Sequence, residues 1–183
     1  QVYHADDSEL SLRFGEMAGV QRLHVALEEN QFCLYSQEIA LLNHEHEDGG
    51  HIEILLRLRD DNGGLIMPDS FIPAAERYGL MTSIDRWVVE NVFKTISSYT
   101  VLNKDQPMVM CAINLSGTTI GDEDFLAFLH EQFECYGVAP ERICFEITET
   151  SAIANLGSAI RFINELKGLG CHFSLDAFCA GMS

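Results

Sequence analysis

The sequence is poor in positive charge. Its 183 residues hold 11 Lys and Arg against 28 Asp and Glu, which gives a formal net charge of −17 at pH 7. Binding to a nucleic-acid backbone needs a surplus of basic side chains, so we expect no nucleic-acid polymer among the partners. A small phosphodiester ligand is still compatible with this charge, because divalent cations can stand between carboxylates and a phosphate.

Other absences concern the cellular setting. The chain has no run of eighteen apolar residues, and its first residues lack the basic, apolar and small-residue segments of a signal peptide. The six cysteines show no CxxC spacing, and most lie in apolar, strand-like runs. This pattern predicts neither disulfides nor a zinc site, and we expect a soluble, cytoplasmic segment.

Short apolar runs alternate with helical ones along the chain, which is 47% hydrophobic. Strands are predicted over residues 32–42, 51–58, 108–114, 142–147 and 171–175. Helices are predicted over residues 6–30, 71–78, 83–98, 124–136 and 151–169. The β-α repeat of the second half indicates a parallel sheet with helices on its outer side. The first helix would either connect to an upstream domain or pack as an ordinary helix, and the pattern leaves both open.

Glu53, Leu55 and Arg57 lie two residues apart in the second predicted strand. The period of a strand places them on the same side, as a carboxylate, an apolar platform and a guanidinium in a row. Charges buried in this way need a partner or a ligand. An internal Glu53–Arg57 ion pair and a ligand-binding face are therefore both open. Gln37, in the preceding strand, is consistent with an edge hydrogen bond or with a functional role.

Oxygen-bearing side chains stand at the ends of later strands. Asn114, Glu146 and Asp176 each lie at or near the C-terminal end of a predicted strand, where barrels and open α/β folds build their active sites. Together with Glu53 they indicate a site for a hard divalent cation such as Mg²⁺ or Mn²⁺. The alternative is that they serve only as caps and loop hydrogen bonds.

Six motifs, in order, resemble those of EAL domains, the bacterial phosphodiesterases of cyclic di-GMP. The segment Glu53-Ile54-Leu55-Leu56-Arg57 is similar to the signature of that family. The other matching segments are Tyr35-Ser36-Gln37-Glu38-Ile39, residues 68–76, Asn114-Leu115-Ser116, Glu146-Ile147-Thr148-Glu149 and Leu175-Asp176-Ala177-Phe178. The resemblance runs from about Gln21 to the end of the chain.

The resemblance implies a fold and a domain organisation. The fold would be α/β, a TIM-like (β/α)8 barrel with an N-terminal connector helix. It would be incomplete in this chain, since about five of eight strands are predicted and on the order of 70 residues are expected to follow. Residues 21–183 would form the EAL-type domain, and residues 1–20 would connect it to an upstream domain similar to a diguanylate cyclase.

The resemblance also implies a role for each matched residue. Those that would hold metal are Glu53, Asn114, Glu146 and Asp176. Those that would contact the dinucleotide are Gln37, Leu55 and Arg57. Glu53 and Asp176 would also be catalytic, with Glu149 bracing the loop after Asp176. The implied reaction is hydrolysis of one phosphodiester bond of cyclic di-GMP to the linear dinucleotide, by water activated at two Mg²⁺ or Mn²⁺ ions.

Two positions depart from the family pattern. Ala177 replaces the second Asp of an Asp-Asp-Phe motif, and Glu38 replaces a proline. Without that carboxylate the second cation would be weak, so we expect binding of cyclic di-GMP with slow hydrolysis. The alternative is a receptor that binds cyclic di-GMP without cutting it. The implied partners are cyclic di-GMP and an upstream cyclase-like or sensor domain, in the setting of a membrane-anchored sensor protein, and a homodimer is left open.

Overall fold

The computed structural model describes residues 18–39, 50–102, 109–154 and 156–176. The chain divides into two compact units. Within the described residues, the smaller unit takes residues 18–33 and Leu56–Met81, and the larger unit takes the rest.

Strands and helices alternate through most of the described chain. The strands are β1 (Phe32–Ile39), β2 (His51–Arg59), β3 (Leu65–Ile66), β4 (Met110–Leu115), β5 (Ile143–Thr148) and β6 (His172–Asp176). The helices are α1 (residues 18–28), α2 (Ile72–Arg77), α3 (Met81–Leu102), α4 (Gly117–Ile120), α5 (Glu123–Tyr136), α6 (Glu149–Ala154) and α7 (Leu156–Leu169). Two 3₁₀ turns, Pro68–Ser70 and Pro140–Arg142, precede α2 and β5.

The sheet has the strand order β1-β2-β4-β5-β6. Strands β2, β4, β5 and β6 are mutually parallel, as the β-α repeat predicts. In the smaller unit, β3 pairs antiparallel with the end of β2. The predicted α/β class and parallel sheet are confirmed. The described strands do not reach the eight parallel strands of a closed (β/α)8 barrel.

One face of the sheet forms the core of the larger unit. Ile113 and Phe145, on β4 and β5, are fully buried on this face. The ring of Phe162 from α7 lies 6.4 Å from that of Phe173 on β6 and 6.4 Å from that of Phe125 on α5. Helices α5 and α7 therefore cover this face, which leaves alternate strand residues pointing to the opposite one.

Local sequence signals set the limits of α5. Asp122 Oδ1 accepts hydrogen bonds from the backbone N–H groups of Asp124 and Phe125, at 2.9 and 3.3 Å. Gly137, at φ 61°, takes the left-handed conformation that ends the helix. The predicted helix is confirmed to within one residue.

Some predicted elements differ from the observed ones. The predicted helix over residues 151–169 is confirmed over residues 151–154 and 156–169, and residue 155 lies outside the described residues. Strand β3 was not predicted, because two residues carry no periodicity. The first predicted helix is confirmed over residues 18–28, while residues 6–17 and 40–42 lie outside the described residues. Among the described helices, none has the length and hydropathy that crossing a membrane requires.

Candidate active site

Glu53 and Asn114 are hydrogen-bonded to each other across the parallel strands β2 and β4. Nδ2 of Asn114 donates to Oε1 of Glu53 at 2.9 Å. The strand register pairs Glu53 with Ala112, two residues before Asn114. Residues two apart in a strand share a face, so the longer glutamate side chain reaches along β4 to the amide. The structure thus brings two of the predicted metal ligands together.

Glu146 lies beside Asn114 on the next strand. The register pairs Asn114 with Glu146, and Glu146 with Ser174 on β6. Neighbouring strands are about 4.8 Å apart, so paired side chains lie close to each other on one face. The negative charge of Glu146 also affects the Cys144 thiol, two residues earlier in β5. Burial raises the pKa of the Cys144 thiol, and the Glu146 carboxylate raises this pKa further.

Asp176 ends β6 and is the register partner of Thr148, the last residue of β5. It comes two residues after Ser174, the partner of Glu146. Its side chain, like that of Glu149 at the start of α6, lies outside the described part of the structure, and so does Ala177. The roles predicted for these three residues therefore stay predictions.

The residues predicted to contact the dinucleotide lie on β1 and β2. Gln37 is exposed near the end of β1, and Leu55 is half-buried in β2. In the smaller unit, Arg57 donates from a terminal guanidinium nitrogen to the carbonyl of Leu56 at 2.7 Å. A guanidinium has five N–H donors, so this bond orients the planar group and leaves other N–H donors for a ligand.

The donor set can be tested against a hard cation. Such cations prefer carboxylate and amide oxygens. Asn114 donates to Glu53 through nitrogen, so its carbonyl oxygen can serve as a ligand, as can the second oxygen of Glu53. Within the described ranges, no three His, Cys, Asp or Glu side chains form a possible metal centre. Of the described side chains, Glu53, Asn114 and Glu146 supply the oxygen donors on this face.

Asp85, a buried carboxylate on α3, is not among the residues predicted from the sequence. It accepts hydrogen bonds from the Ser116 N–H at 2.9 Å and from the Thr119 hydroxyl at 2.6 Å. Burial raises the pKa of the Asp85 carboxyl, and these hydrogen bonds partly oppose that rise. One signal was available. Asp85 follows Ile84 and precedes Val88 at helical spacing, so it falls on the apolar face of α3, where a carboxylate needs partners.

The parallel sheet, its covering helices and the oxygen donors near the strand ends define a domain of the α/β barrel type. The family model of the EAL domain matches residues 20–183, and the chain belongs to the EAL domain family. The family and fold predicted from the sequence are thereby confirmed.

Two curated relatives show how much of a longer protein the chain represents. It is 34% identical over 182 residues to the cyclic di-GMP phosphodiesterase PdeB of Shewanella oneidensis, covering 100% of this chain and 21% of PdeB. It is 35% identical over 166 residues to the cyclic di-GMP phosphodiesterase PdeF of Escherichia coli, covering 91% of this chain and 21% of PdeF. The chain thus spans about a fifth of the length of these relatives.

The fold also matches solved structures. The EAL domain of FimX from Pseudomonas aeruginosa, bound to c-di-GMP, aligns with a TM-score of 0.79 at 27% identity. The alignment covers 90% of this chain and 64% of the FimX chain.

Proposed function

We propose that this chain is part of a cyclic di-GMP phosphodiesterase, which hydrolyses one phosphodiester bond to give the linear dinucleotide. The observation that carries the proposal is the Glu53–Asn114 hydrogen bond on the face that also bears Glu146. The proposal is supported by two relatives, at 34% and 35% identity, that carry this activity in their names.

The metal ligands of the proposed enzyme are Glu53, Asn114, Glu146 and Asp176. Mg²⁺ or Mn²⁺ bound by them would polarise the phosphoryl oxygens and make water a better nucleophile at neutral pH. The protein's own contribution begins with positioning. Asn114 holds the Glu53 carboxylate by a direct hydrogen bond, so the ligand need not be reoriented when a cation arrives.

The remaining proposed roles concern the dinucleotide. Arg57 would hold a phosphate with its planar fork, while Leu55 and Gln37 would contact the rest of the ligand. Glu149 would brace the loop that follows Asp176. Because the chain carries a net charge of −17, repulsion of the phosphates should make tight binding depend on divalent cations.

A second candidate function is a receptor that binds cyclic di-GMP without hydrolysing it. The observation that favours it is Ala177, a methyl group where the family motif has a carboxylate. That change would weaken the second cation and remove part of the charge stabilisation in the transition state.

The setting of the domain is also a proposal. We infer that residues 1–20 connect it to an upstream cyclase-like or sensor domain, in a cytoplasmic part of a larger signalling protein. The chain spans about a fifth of its relatives' length, which leaves room for such domains.

The test compares turnover and binding in a protein that contains the whole domain. Cyclic di-GMP is supplied with Mg²⁺, with Mn²⁺ or with EDTA, and the linear dinucleotide is measured beside the dissociation constant. A phosphodiesterase forms product only with metal, and Glu53→Gln abolishes it, while Glu90→Gln, an exposed position on α3, leaves it unchanged. Ala177→Asp should raise the rate about a hundredfold, or about 2.7 kcal/mol of barrier.

The other outcomes also decide between the functions. Metal-dependent binding without turnover, in the native protein and in Ala177→Asp alike, supports the receptor. Absence of both binding and turnover contradicts both functions.

A further inference from the structure

Asp85 and Thr119 are the two polar residues that are buried among the described ones, with 4% and 0% of their surface exposed. They bond to each other, since the Thr119 hydroxyl donates to Asp85 Oδ2 at 2.6 Å. The same oxygen accepts the backbone N–H of Ser116 at 2.9 Å. A buried carboxylate is costly unless it is hydrogen-bonded in this way. Here both bonds lead to one short segment, the turn that follows β4.

That turn directly follows the strand that carries Asn114. Ser116 is the N-cap of α4 and lies two residues after Asn114. In a capping box, the third residue of a helix accepts a hydrogen bond from the N-cap N–H. In α4 that third residue is Thr119, whose hydroxyl donates to Asp85, and Asp85 from α3 accepts the N-cap N–H in its place. The path of the chain out of β4 is therefore fixed by a side chain from another helix.

The next turn, after β5, also packs against this segment. A β-carbon at Gly117 would lie 2.7 Å from Oγ and 2.8 Å from Cβ of Ser151. Ser151 in turn accepts a hydrogen bond from Thr148 Oγ1 at 2.7 Å. Thr148 ends β5, the strand that bears Glu146. The turns behind two of the proposed metal ligands are thus packed against each other.

We propose that Asp85 is a positioning residue, which holds the turn after β4 so that the Asn114 amide meets the Glu53 carboxylate. Asp85 touches neither a ligand nor the reacting atoms in this proposal, and it acts through Ser116 and Thr119. The effect on the Asn114 amide follows from the structure alone. Only its consequence for metal binding and catalysis rests on the proposed function.

The test uses three variants and one control. Asp85→Ala removes the acceptor, Thr119→Val removes the donor at nearly constant volume, and Asp85→Asn keeps a neutral acceptor of the same shape. The control is Glu90→Ala, which removes a carboxylate from an exposed position on the same helix.

The first measurement is the NMR signal of the Asn114 side-chain amide, identified by its loss in Asn114→Ala. We expect it to shift in Asp85→Ala and Thr119→Val, and to stay near its native position in Asp85→Asn and Glu90→Ala. The second measurement is the affinity for Mn²⁺ alone. It should fall about tenfold or more in Asp85→Ala, as is typical when residues that orient metal ligands are lost, and recover in Asp85→Asn.

The two measurements separate the inference from the proposed function. If the native protein binds no Mn²⁺ but the amide signal shifts as expected, the phosphodiesterase assignment fails and the role of Asp85 stands. If the amide signal in Thr119→Val and in a folded Asp85→Ala matches the native one, Asp85 does not position Asn114. If Asp85→Ala does not fold, Thr119→Val decides the question by the same signal.

Discussion

The amide of Asn114 donates to the carboxylate of Glu53 from the neighbouring strand, at 2.9 Å. Asn114→Asp would replace this donor with a second carboxylate and place two like charges side by side. In EDTA the variant should melt several degrees below the native protein, since about 1 kcal/mol corresponds to 2–4 °C for a chain of this size. Added Mg²⁺ should restore more stability to the variant than to the native protein, because a cation can lie between the carboxylates.

A double variant serves as the control for this prediction. Glu53→Gln combined with Asn114→Asp leaves one carboxylate in the pair, so its melting temperature in EDTA should rise above that of Asn114→Asp. If Asn114→Asp melts at the native temperature both in EDTA and in Mg²⁺, the two side chains are not in contact in solution.

Gly117 has no room for a side chain because Ser151 lies against it. Gly117→Ala would place a methyl group 2.7 Å from Ser151 Oγ and 2.8 Å from its Cβ. We expect a loss of about 1–3 kcal/mol of unfolding free energy, measured by urea denaturation, as is typical of overpacking. Ser151→Gly removes both clashing atoms, so the double variant should be more stable than the sum of the single effects predicts. Additive effects would show that the two turns are not in contact.

A variant at Arg57 distinguishes a ligand-binding role of this residue from a purely structural one. If its fork holds a phosphate, Arg57→Lys should weaken binding of cyclic di-GMP about tenfold or more, because a point charge cannot reproduce a bidentate bond. The measurement is calorimetric titration in saturating Mg²⁺, with Arg59→Lys on the exposed end of β2 as the control. A lower melting temperature with unchanged affinity would assign Arg57 a purely structural role.

The buried thiols should resist alkylation. Burial raises the pKa of Cys111 to about 11, although the charge of Arg142 opposes it, and raises that of Cys171 to about 12. Below these values both groups remain neutral thiols, and the thiolate is the reactive form. At pH 8 iodoacetamide should modify exposed Cys135 before Cys111 and Cys171, as followed by peptide mass spectrometry. Labelling of Cys111 at the rate of Cys135 in the folded protein would contradict this burial.

The sequence was informative wherever a local pattern decides the structure. Asp122 and Gly137 mark the ends of α5 because a cap and a left-handed glycine act within one turn of the chain. Asn114 and Glu146 could be placed near strand ends because parallel strands deliver those ends to one edge.

Contacts between distant elements were beyond such patterns. The partnership of Asp85 with Thr119 depends on which face of α3 meets the turn after β4, and no local period encodes that packing. The same holds for the approach of Gly117 to Ser151.

The strand register determines how far along their strands the four proposed metal ligands lie. The residue paired with Glu53 is Ala112 on β4, and the pairing continues through Cys144 on β5 to His172 on β6. Relative to this row, Asn114 and Glu146 lie two residues further along their strands, and Asp176 lies four residues further along. Strands in a TIM barrel tilt by about 36° and slip by about one residue per strand. Over the three steps from β2 to β6 such a slip amounts to about three residues, close to the four residues by which Asp176 is displaced. Deleting one residue from β4 before Asn114 would turn Asn114 to the other face and break its hydrogen bond to Glu53, although every residue of the motif would still be present.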